Sequence, residues 1–288
     1  MFDLLFREFR KEILLLTMPA FLFAGVAEAQ QPSPARRTPL GTPSPFPIDA
    51  LKEAQRGKTA APTIPLEPLN QAVERVATAH GGRQALKNIA AVQAEGTLTV
   101  FEATGASKSY PLTLLAKGEG QIQRVIRQPS GQQLKQGTDG NRTWDGVAGH
   151  LALAVGSTLS FIEAQTTRSV RSFIDYAARG SRPRDAGMKG PDRAIEIEEA
   201  NGRTTTYFFD VGSGRVARTE FVTTTARDMF SGKAVPSVET YEFSDYRMIQ
   251  GVLTPLKVTH LADGVKRDEA QFSTFRYNDP VSIDDFRP

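Results

Sequence analysis

Three segments near the C-terminus alternate between apolar and polar residues, and this pattern limits the fold more than any other feature of the chain. The segments are Val238–Tyr246, Val252–Leu261 and Ala270–Tyr277. Alternation with a period of two is typical of strands that bury one face. Gly251 lies in the first connection and Asp263-Gly264 in the second, where glycine supplies the positive φ of a tight hairpin. The stretch therefore predicts an antiparallel meander.

The third segment changes phase within itself. In a regular strand Phe272 would point to one face, whereas Phe275 and Tyr277 would point to the other. One extra residue in the strand, a β-bulge, produces such a change. We therefore expect a bulge in the last strand.

Helix and strand patterns precede this meander. Apolar residues at helical spacing run from Leu69 to Ala77, and Gly81-Gly82 ends the helix. A second short helix carries Leu86, and Val92–Val100 alternates as a strand does. Further strand patterns lie at Tyr110–Lys117, Gln121–Gln128, Gln132–Thr138, around Trp144, and at residues 195–197, 207–209 and 217–221.

One helical pattern interrupts the strands. Ser160 and Glu163 have capping-box spacing, and Arg179-Gly180 is typical of a helix end. The predicted inner stripe is Val170, Phe173, Ile174, Ala177 and Ala178, and the predicted solvent face is Arg168, Arg171, Ser172 and Asp175. We hypothesise that this stripe covers the mouth of a cavity as a lid; an ordinary core stripe is the alternative.

About ten strands and three or four helices predict a mainly β fold with a few helices, in the α+β class. Short connections favour antiparallel pairing. A twisted sheet of this size must curl. We therefore expect a strongly curved antiparallel sheet that forms an incomplete β-barrel, with the helices in or across its concave side.

Several short motifs stand out along the chain: Asp245-Tyr246-Arg247, Gly251 with Pro255, Asn278-Asp279-Pro280-Val281 with Phe286, Ala94-Glu95-Gly96-Thr97-Leu98 after the Gly-Gly break, and Asp139-Gly140 before Trp144. Together they resemble the motifs of LolA-like proteins, the LolA/LolB superfamily of periplasmic lipoprotein carriers and their outer-membrane relatives. The resemblance implies a half-barrel that holds acyl chains under a lid of helices. The chain departs from the family in its Pro-rich N-terminal segment and its arginine-rich helical region, so the expected ligand is broader: a lipid or a lipidated protein.

The first 29 residues resemble a secretory signal peptide. Basic residues precede an apolar run from Ile13 to Val26, and Ala27-Glu28-Ala29 has the A-x-A form of a cleavage site. The run is too short to cross a bilayer as a helix. We expect cleavage near Ala29 and a periplasmic protein that does not span the membrane; an uncleaved anchor is the alternative. The chain has no cysteine, so it can form no disulfide.

Residues 30–68 contain half of the 18 prolines of the chain. A segment of this composition cannot bury enough apolar surface to offset the entropy of ordering it, so we expect a disordered linker. The predicted folded domain therefore spans residues 69–288.

Residues that usually carry catalysis or bind metals are sparse. His80, His150 and His260 have no partner at metal-ligand spacing. The sequence contains no nucleophile elbow, Walker loop or dinucleotide fingerprint. Glu196 and Glu198 share a strand face, which is typical of a solvated surface. We expect no catalytic residue, no metal, no cofactor and no nucleic-acid partner.

The sequence leaves an apolar ligand as the preferred hypothesis. The residues expected to form its cavity and lid are Leu98, Val100, Leu112, Leu114, Ile122, Ile126, Trp144, Phe161, Ile162, Val170, Phe173 and Ile174. The alternative is a non-catalytic envelope interaction module whose concave side is filled by Trp144, Phe161 and Phe173 and which binds a protein partner. The basic region Arg168–Arg193 is interpreted as a solvated surface, with attraction of a phosphate headgroup or an acidic partner as the alternative.

Overall fold

The computed structural model describes residues 67–147, 150–154, 156–227 and 234–286. The predicted signal peptide (1–29) and residues 30–66 of the predicted linker lie outside the described residues.

The described residues form α-helices at two places and strands over most of the remainder. The helices are α1 (Leu69–Ala79), α2 (Arg83–Lys87), α3 (Gly156–Gln165) and α4 (Val170–Ile174), with a 3-10 helix at Ile283–Phe286. The strands are β1 (Ala91–Phe101), β2 (Ser107–Lys117), β3 (Gln121–Arg127), β4 (Gln133–Thr138), β5 (Thr143–Val147), β6 (His150–Ala152), β7 (Arg182–Lys189), β8 (Asp192–Glu198), β9 (Thr204–Asp210), β10 (Val216–Arg227), β11 (Ala234–Ile249), β12 (Val252–Ala262) and β13 (Val265–Tyr277).

All thirteen described strands form one antiparallel, curved sheet that does not close into a barrel. Its order is β6-β5-β4-β3-β2-β1-β13-β12-β11-β10-β9-β8-β7. The predicted fold class is confirmed, but the expected number of strands was too low. Periodicity missed β6, which has three residues, and β7, where Pro183 was taken only as the end of a helix. Proline is tolerated in β7 because this strand lies at the edge of the sheet.

The sheet is made of two meanders that meet in the middle. Strands β1 to β6 run outward in one direction, and β7 to β13 return from the opposite edge until β13 pairs with β1. The segment with α3 and α4 joins the two edges. Helix α3 contacts both β4 and β10, and α4 contacts α1, so the helices cover one face of the sheet. We call this the inner face.

Helix α1 confirms the predicted apolar stripe, because Ala72, Val73, Val76 and Ala77 are all buried. These residues join a core cluster that also contains Phe173 and Tyr207. The chain then turns at Gly81, whose φ is +106° and where a Cβ would lie 2.1 Å from the carbonyl oxygen of Gly251. The end of α1 therefore sits directly against the β11–β12 hairpin.

The meander at the C-terminus agrees with its predicted turns. Two residues join each pair of strands, Gln250-Gly251 and Asp263-Gly264, and all four have positive φ. The bulge is also confirmed: Glu95 of β1 pairs with Thr274, and the next residue pairs with Phe272, so Ser273 is extra. Because of the bulge, Phe272 and Phe275 lie on the same side, with ring centroids 5.6 Å apart.

The predicted lid helix differs from the structure. The region forms two short helices, α3 and α4, within the predicted range of one or two, but neither begins at Ser160. The cap is Ser169, whose hydroxyl accepts a hydrogen bond from the backbone N–H of Ser172. The hydroxyl of Ser160 instead pairs with the hydroxyl of Tyr241 inside the protein, because Ser160 lies within α3.

Candidate functional site

A cavity of about 260 Å³ lies between the inner face of the sheet and the helices. Strands β1, β2 and β3 form one wall, and β11, β12 and β13 form the other. Helices α3 and α4 and the segment after α2 border it on the remaining side. Its lining is mostly aliphatic and aromatic, with charged side chains at two places, described below, and further polar groups on His80, Thr254 and Tyr277.

Half of the twelve predicted site residues line this cavity. They are Leu98, Leu112, Leu114, Ile122, Phe161 and Val170. Val100, Ile126 and Ile162 belong to the same hydrophobic cluster without lining the cavity. The alternation of β1, β2 and β3 is what places their apolar side chains together on the inner face.

The other three predicted residues lie elsewhere. Phe173 and Ile174 are fully or almost fully buried in the core around α1, where the Phe173 and Tyr207 ring centroids are 4.8 Å apart. Trp144 packs with the C-terminal Phe286 and with Leu115. Because Leu114 lines the cavity and neighbouring residues of a strand point to opposite faces, Trp144 lies on the outer face of the sheet.

The sequence analysis did not predict the residues of the second wall of the cavity. It contains Phe243 of β11, Val258 of β12, and Phe272 and Phe275 of β13. Each had been recognised only as part of a strand. The pairing of β13 with β1, far apart in the sequence, is what brings these residues opposite Leu98.

The inner polar group of the cavity is Arg124 of β3. The side chain is buried, and its guanidinium lies 4.0 Å above the ring of Phe161. Its Nε donates to Oε1 of Gln136 at 2.5 Å. Gln136 in turn donates to the hydroxyl of Thr158 and to the carboxylate of Asp145. The sequence had shown only that Arg124 shares a face with two isoleucines.

A buried cluster of charged groups adjoins Arg124. His260 Nε2 lies 2.6 Å from Oε2 of Glu239, and His260 Nδ1 lies 3.0 Å from Oδ2 of Asp268. Burial alone would lower the pKa of His260, but hydrogen bonds to Asp268 and Glu239 and their negative charges outweigh it and raise the pKa to about 9. His260 is therefore protonated at neutral pH. Tyr241 stacks on His260, with ring centroids 4.5 Å apart.

Burial acts on the other members of this cluster as well. It would raise the pKa of Asp268, but the hydrogen bond and charge of His260 and the charge of Arg124 outweigh burial and lower that pKa. Burial keeps the pKa of Tyr241 well above 10, so its phenol stays neutral. Asp268, Arg124 and Tyr241 line the cavity, whereas His260 and Glu239 lie behind them.

The outer polar group is an ion-pair cluster at the rim of the cavity. Glu119, in the β2–β3 turn, lies 3.1 Å from Nη2 of Arg171 and 3.8 Å from Nη1 of Arg179. Arg171 also donates to the carbonyl of Ile89. These contacts tie the region of α4 to the far side of the rim.

The basic region Arg168–Arg193 is not one solvated surface. Arg168 and Arg193 are each only 1% exposed. Arg168 lies 3.2 Å from Glu163 and stacks on the ring of Phe221, and Arg193 pairs with Asp185 at 2.6 Å. The predicted solvent face of the lid helix was thus wrong for Arg168 and for Ser172, which is also buried. Both turn inward because the helix breaks before Ser169.

Among the described residues, no group of three or more His, Asp or Glu side chains is arranged to hold a metal ion. No described helix is long and apolar enough to cross a membrane.

No family model matches the chain, and no curated protein matches its sequence. Solved structures resemble it at low identity. An outer membrane lipoprotein-sorting protein domain from Vibrio parahaemolyticus is 12% identical, with 75% of this chain and 95% of that chain covered and a TM-score of 0.48. A LolA superfamily protein from Nitrosomonas europaea is 13% identical, with 76% and 97% covered and a TM-score of 0.47.

A DUF1329 family protein from Desulfovibrio piger is 12% identical, with 77% of this chain and 98% of that chain covered and a TM-score of 0.48. The likeness to these three structures concerns the fold alone.

Proposed function

We propose that this protein binds the acyl chain of a lipid, or of a lipidated protein, in the cavity beneath α3 and α4. One observation carries the proposal: an unfilled, mostly apolar cavity of about 260 Å³ in the middle of the sheet. Interiors of proteins are close-packed, and voids larger than a water molecule are few. The cavity also weighs against an interaction module whose concave side is filled.

The volume sets the size of the ligand. An apolar cavity of about 150 Å³ stays dry and binds benzene, and pockets for drug-sized ligands begin at about 300 Å³. A cavity of about 260 Å³ therefore suits one short acyl chain. Each buried methylene contributes about 0.8 kcal/mol, so eight carbons would contribute about 6 kcal/mol. A longer chain requires α4 to move away from the rim.

We also propose that the protein is exported to the periplasm. The short apolar core and Ala27-Glu28-Ala29 support cleavage near Ala29 and a periplasmic location. A carrier in that compartment would shield acyl chains from water between membranes. Sequencing the N-terminus of the exported protein tests this part, and an intact Met1 in the membrane fraction would refute it.

A binding experiment tests the cavity. We expect native mass spectrometry of the purified protein to show bound lipid, and we expect affinity for alkyl chains to rise with length until the cavity is full. Ala270→Phe should weaken binding, because Ala270 lines the cavity and the new ring would occupy it.

Ala262→Phe is the matched control. Ala262 lies in the neighbouring strand, is comparably half-exposed and does not line the cavity. It should leave affinity unchanged. If neither variant alters binding, or if the wild-type protein binds no alkyl compound, the proposal is wrong.

A further inference from the structure

Arg124 is a buried arginine whose terminal nitrogens have no hydrogen-bond partner among the described residues. The residue is 8% exposed and lines the cavity. Its Nε donates to Gln136, and its guanidinium stacks on Phe161. No described residue accepts a hydrogen bond from either terminal nitrogen, which together carry most of the N–H donors of an arginine. The two nitrogens are therefore free to donate to an acceptor placed in the cavity, which Arg124 lines.

Asp268 lies at the same end of the cavity. Its Oδ2 accepts from His260, and the side chain is 20% exposed. No described residue donates a hydrogen bond to its Oδ1. The end of the cavity therefore presents donors on Arg124 and an acceptor on Asp268, within walls that are mostly apolar.

The charges at this end balance without a ligand. Arg124 and His260 are positive, and Glu239 and Asp268 supply the two opposing carboxylates. Tyr241, which also faces the site, is neutral. A bound carboxylate would add an unbalanced negative charge in a buried site, and such a charge is strongly disfavoured. A neutral oxygen acceptor would satisfy Arg124 without that penalty.

We propose that Arg124 selects amphiphiles in which a neutral carbonyl, of an ester or an amide, accompanies the acyl chain, and that Asp268 excludes ionised carboxylates. This inference rests on the proposed function and names the chemical class of its ligand. Acylglycerols and N-acylated or ester-linked lipid anchors carry such carbonyls. Free fatty acids at neutral pH do not.

A competition series of equal chain length tests the selection in the wild-type protein. The competitors are an alkane, an acyl methyl ester, an acyl N-methylamide and the free carboxylate, each displacing a fluorescent alkyl probe. A hydrogen bond to a charged donor is expected to make the ester and amide bind about 10- to 100-fold more tightly than the alkane. The carboxylate should bind no better than the alkane.

Two variants test whether Arg124 and Asp268 cause this selectivity. Arg124→Leu should bring the ester down to the affinity of the alkane, and Asp268→Asn should raise the affinity of the carboxylate about tenfold or more. Asparagine keeps an oxygen for His260 while removing the charge. Arg218→Leu is the control, since Arg218 also stacks on a ring but pairs with Asp192 and does not line the cavity.

The outcomes separate the two proposals. Wild-type protein that binds alkanes, esters and carboxylates alike would overturn the selection by Arg124 and leave the acyl-binding function standing. An ester preference that survives Arg124→Leu would also overturn it. Should that variant not fold, the wild-type series and Asp268→Asn still decide. Absence of binding to every probe would overturn the function and the selection together.

Discussion

His260 and Glu239 form a buried ion pair, with Nε2 of the imidazole 2.6 Å from Oε2 of the carboxylate and each side chain at most 3% exposed. The second carboxylate, Asp268, holds the other ring nitrogen. The positive charge of the histidine stabilises the two buried carboxylates, and its hydrogen bond to Asp268 orients that side chain toward the cavity. The pair thus links the stability of the sheet to the chemistry of the site.

This pair predicts a loss of stability in alkaline solution. The folded pKa of about 9 exceeds the unfolded value of 6.5. The stabilisation is therefore fully present below pH 6.5 and is lost as the pH rises through 9. A shift of this size corresponds to about 3 kcal/mol. Urea unfolding between pH 6.5 and 9.5 should show the decline, and NMR of the imidazole should give the pKa. A midpoint near 6.5 would contradict the prediction.

His80 predicts the opposite dependence in acid. Burial, opposed by its hydrogen bond to the Leu253 carbonyl and assisted by the charge of Arg215, lowers its pKa to about 4. Its Nε2 accepts from the backbone N–H of Val216, so protonation would also break a hydrogen bond. Stability should fall by about 3 kcal/mol as the pH drops from 6.5 through 4. His80→Gln should lose this part of the pH dependence and show a shallower decline over the same range. Equal slopes in both proteins would refute the assignment.

Phe173 and Val170 belong to the same short helix but should respond differently to truncation. Phe173 is completely buried beside Tyr207 and does not line the cavity, so Phe173→Ala should lower the free energy of unfolding by about 3–5 kcal/mol. Ligand uptake by the folded fraction should be unchanged. Val170→Ala, at the cavity, should cost about 1 kcal/mol and change uptake. The reverse pattern would make Phe173 part of the lid.

Alanine substitutions at Gly81 and Gly82 test how tightly the end of α1 packs against the β11–β12 hairpin. Both have positive φ, but only at Gly81 would a Cβ meet another atom, the Gly251 carbonyl oxygen at 2.1 Å. Gly82→Ala should cost about 1–3 kcal/mol from backbone strain alone. Gly81→Ala should cost about 1–3 kcal/mol more, because the backbone of the hairpin must shift. Chemical denaturation measures both; equal losses would show that the contact is not tight.

The sequence predicted features that depend on neighbouring residues. The α1 stripe, the hairpin turns and the bulge at Ser273 follow from local periodicity and glycine position, and all agree with the structure. The lid helix was mispredicted because two serines compete as caps, and tertiary contact, not local spacing, places Ser160 inside a helix against Tyr241.

The candidate site depended on pairings that no local pattern contains. Arg124 and Asp268 line the same cavity only because β13 pairs with β1. The polar end of the cavity therefore could not be predicted from either strand alone. The sequence contained a weak indication of this site. Arg124 shares a strand face with Ile122 and Ile126, and Glu239 shares one with Tyr241 and Phe243. A charged residue on an apolar face is the pattern to notice. Trp144 was wrongly predicted to line the cavity, because the presence of an aromatic residue does not show which face of the sheet it occupies.

The ion pairs of Glu119 at the rim lead to a prediction about rates. Glu119 and the two arginines are partly exposed, and exposed ion pairs contribute only about 0–1 kcal/mol to stability. Glu119→Gln should therefore barely change unfolding. It should speed the uptake of an alkyl probe in stopped-flow mixing, because the contacts that hold α4 against the β2–β3 turn are weakened. High salt should speed uptake by the wild-type protein in the same direction.

Glu102→Gln serves as the control for this rim variant. Glu102 forms a comparable exposed ion pair with Lys108, 3.0 Å apart, at the opposite end of β2 and away from the cavity lining. It should change neither unfolding nor uptake. If Glu102→Gln and Glu119→Gln alter uptake equally, the effect comes from net charge. If Glu119→Gln leaves the rate and its salt dependence as in the wild-type protein, the ligand enters by another route.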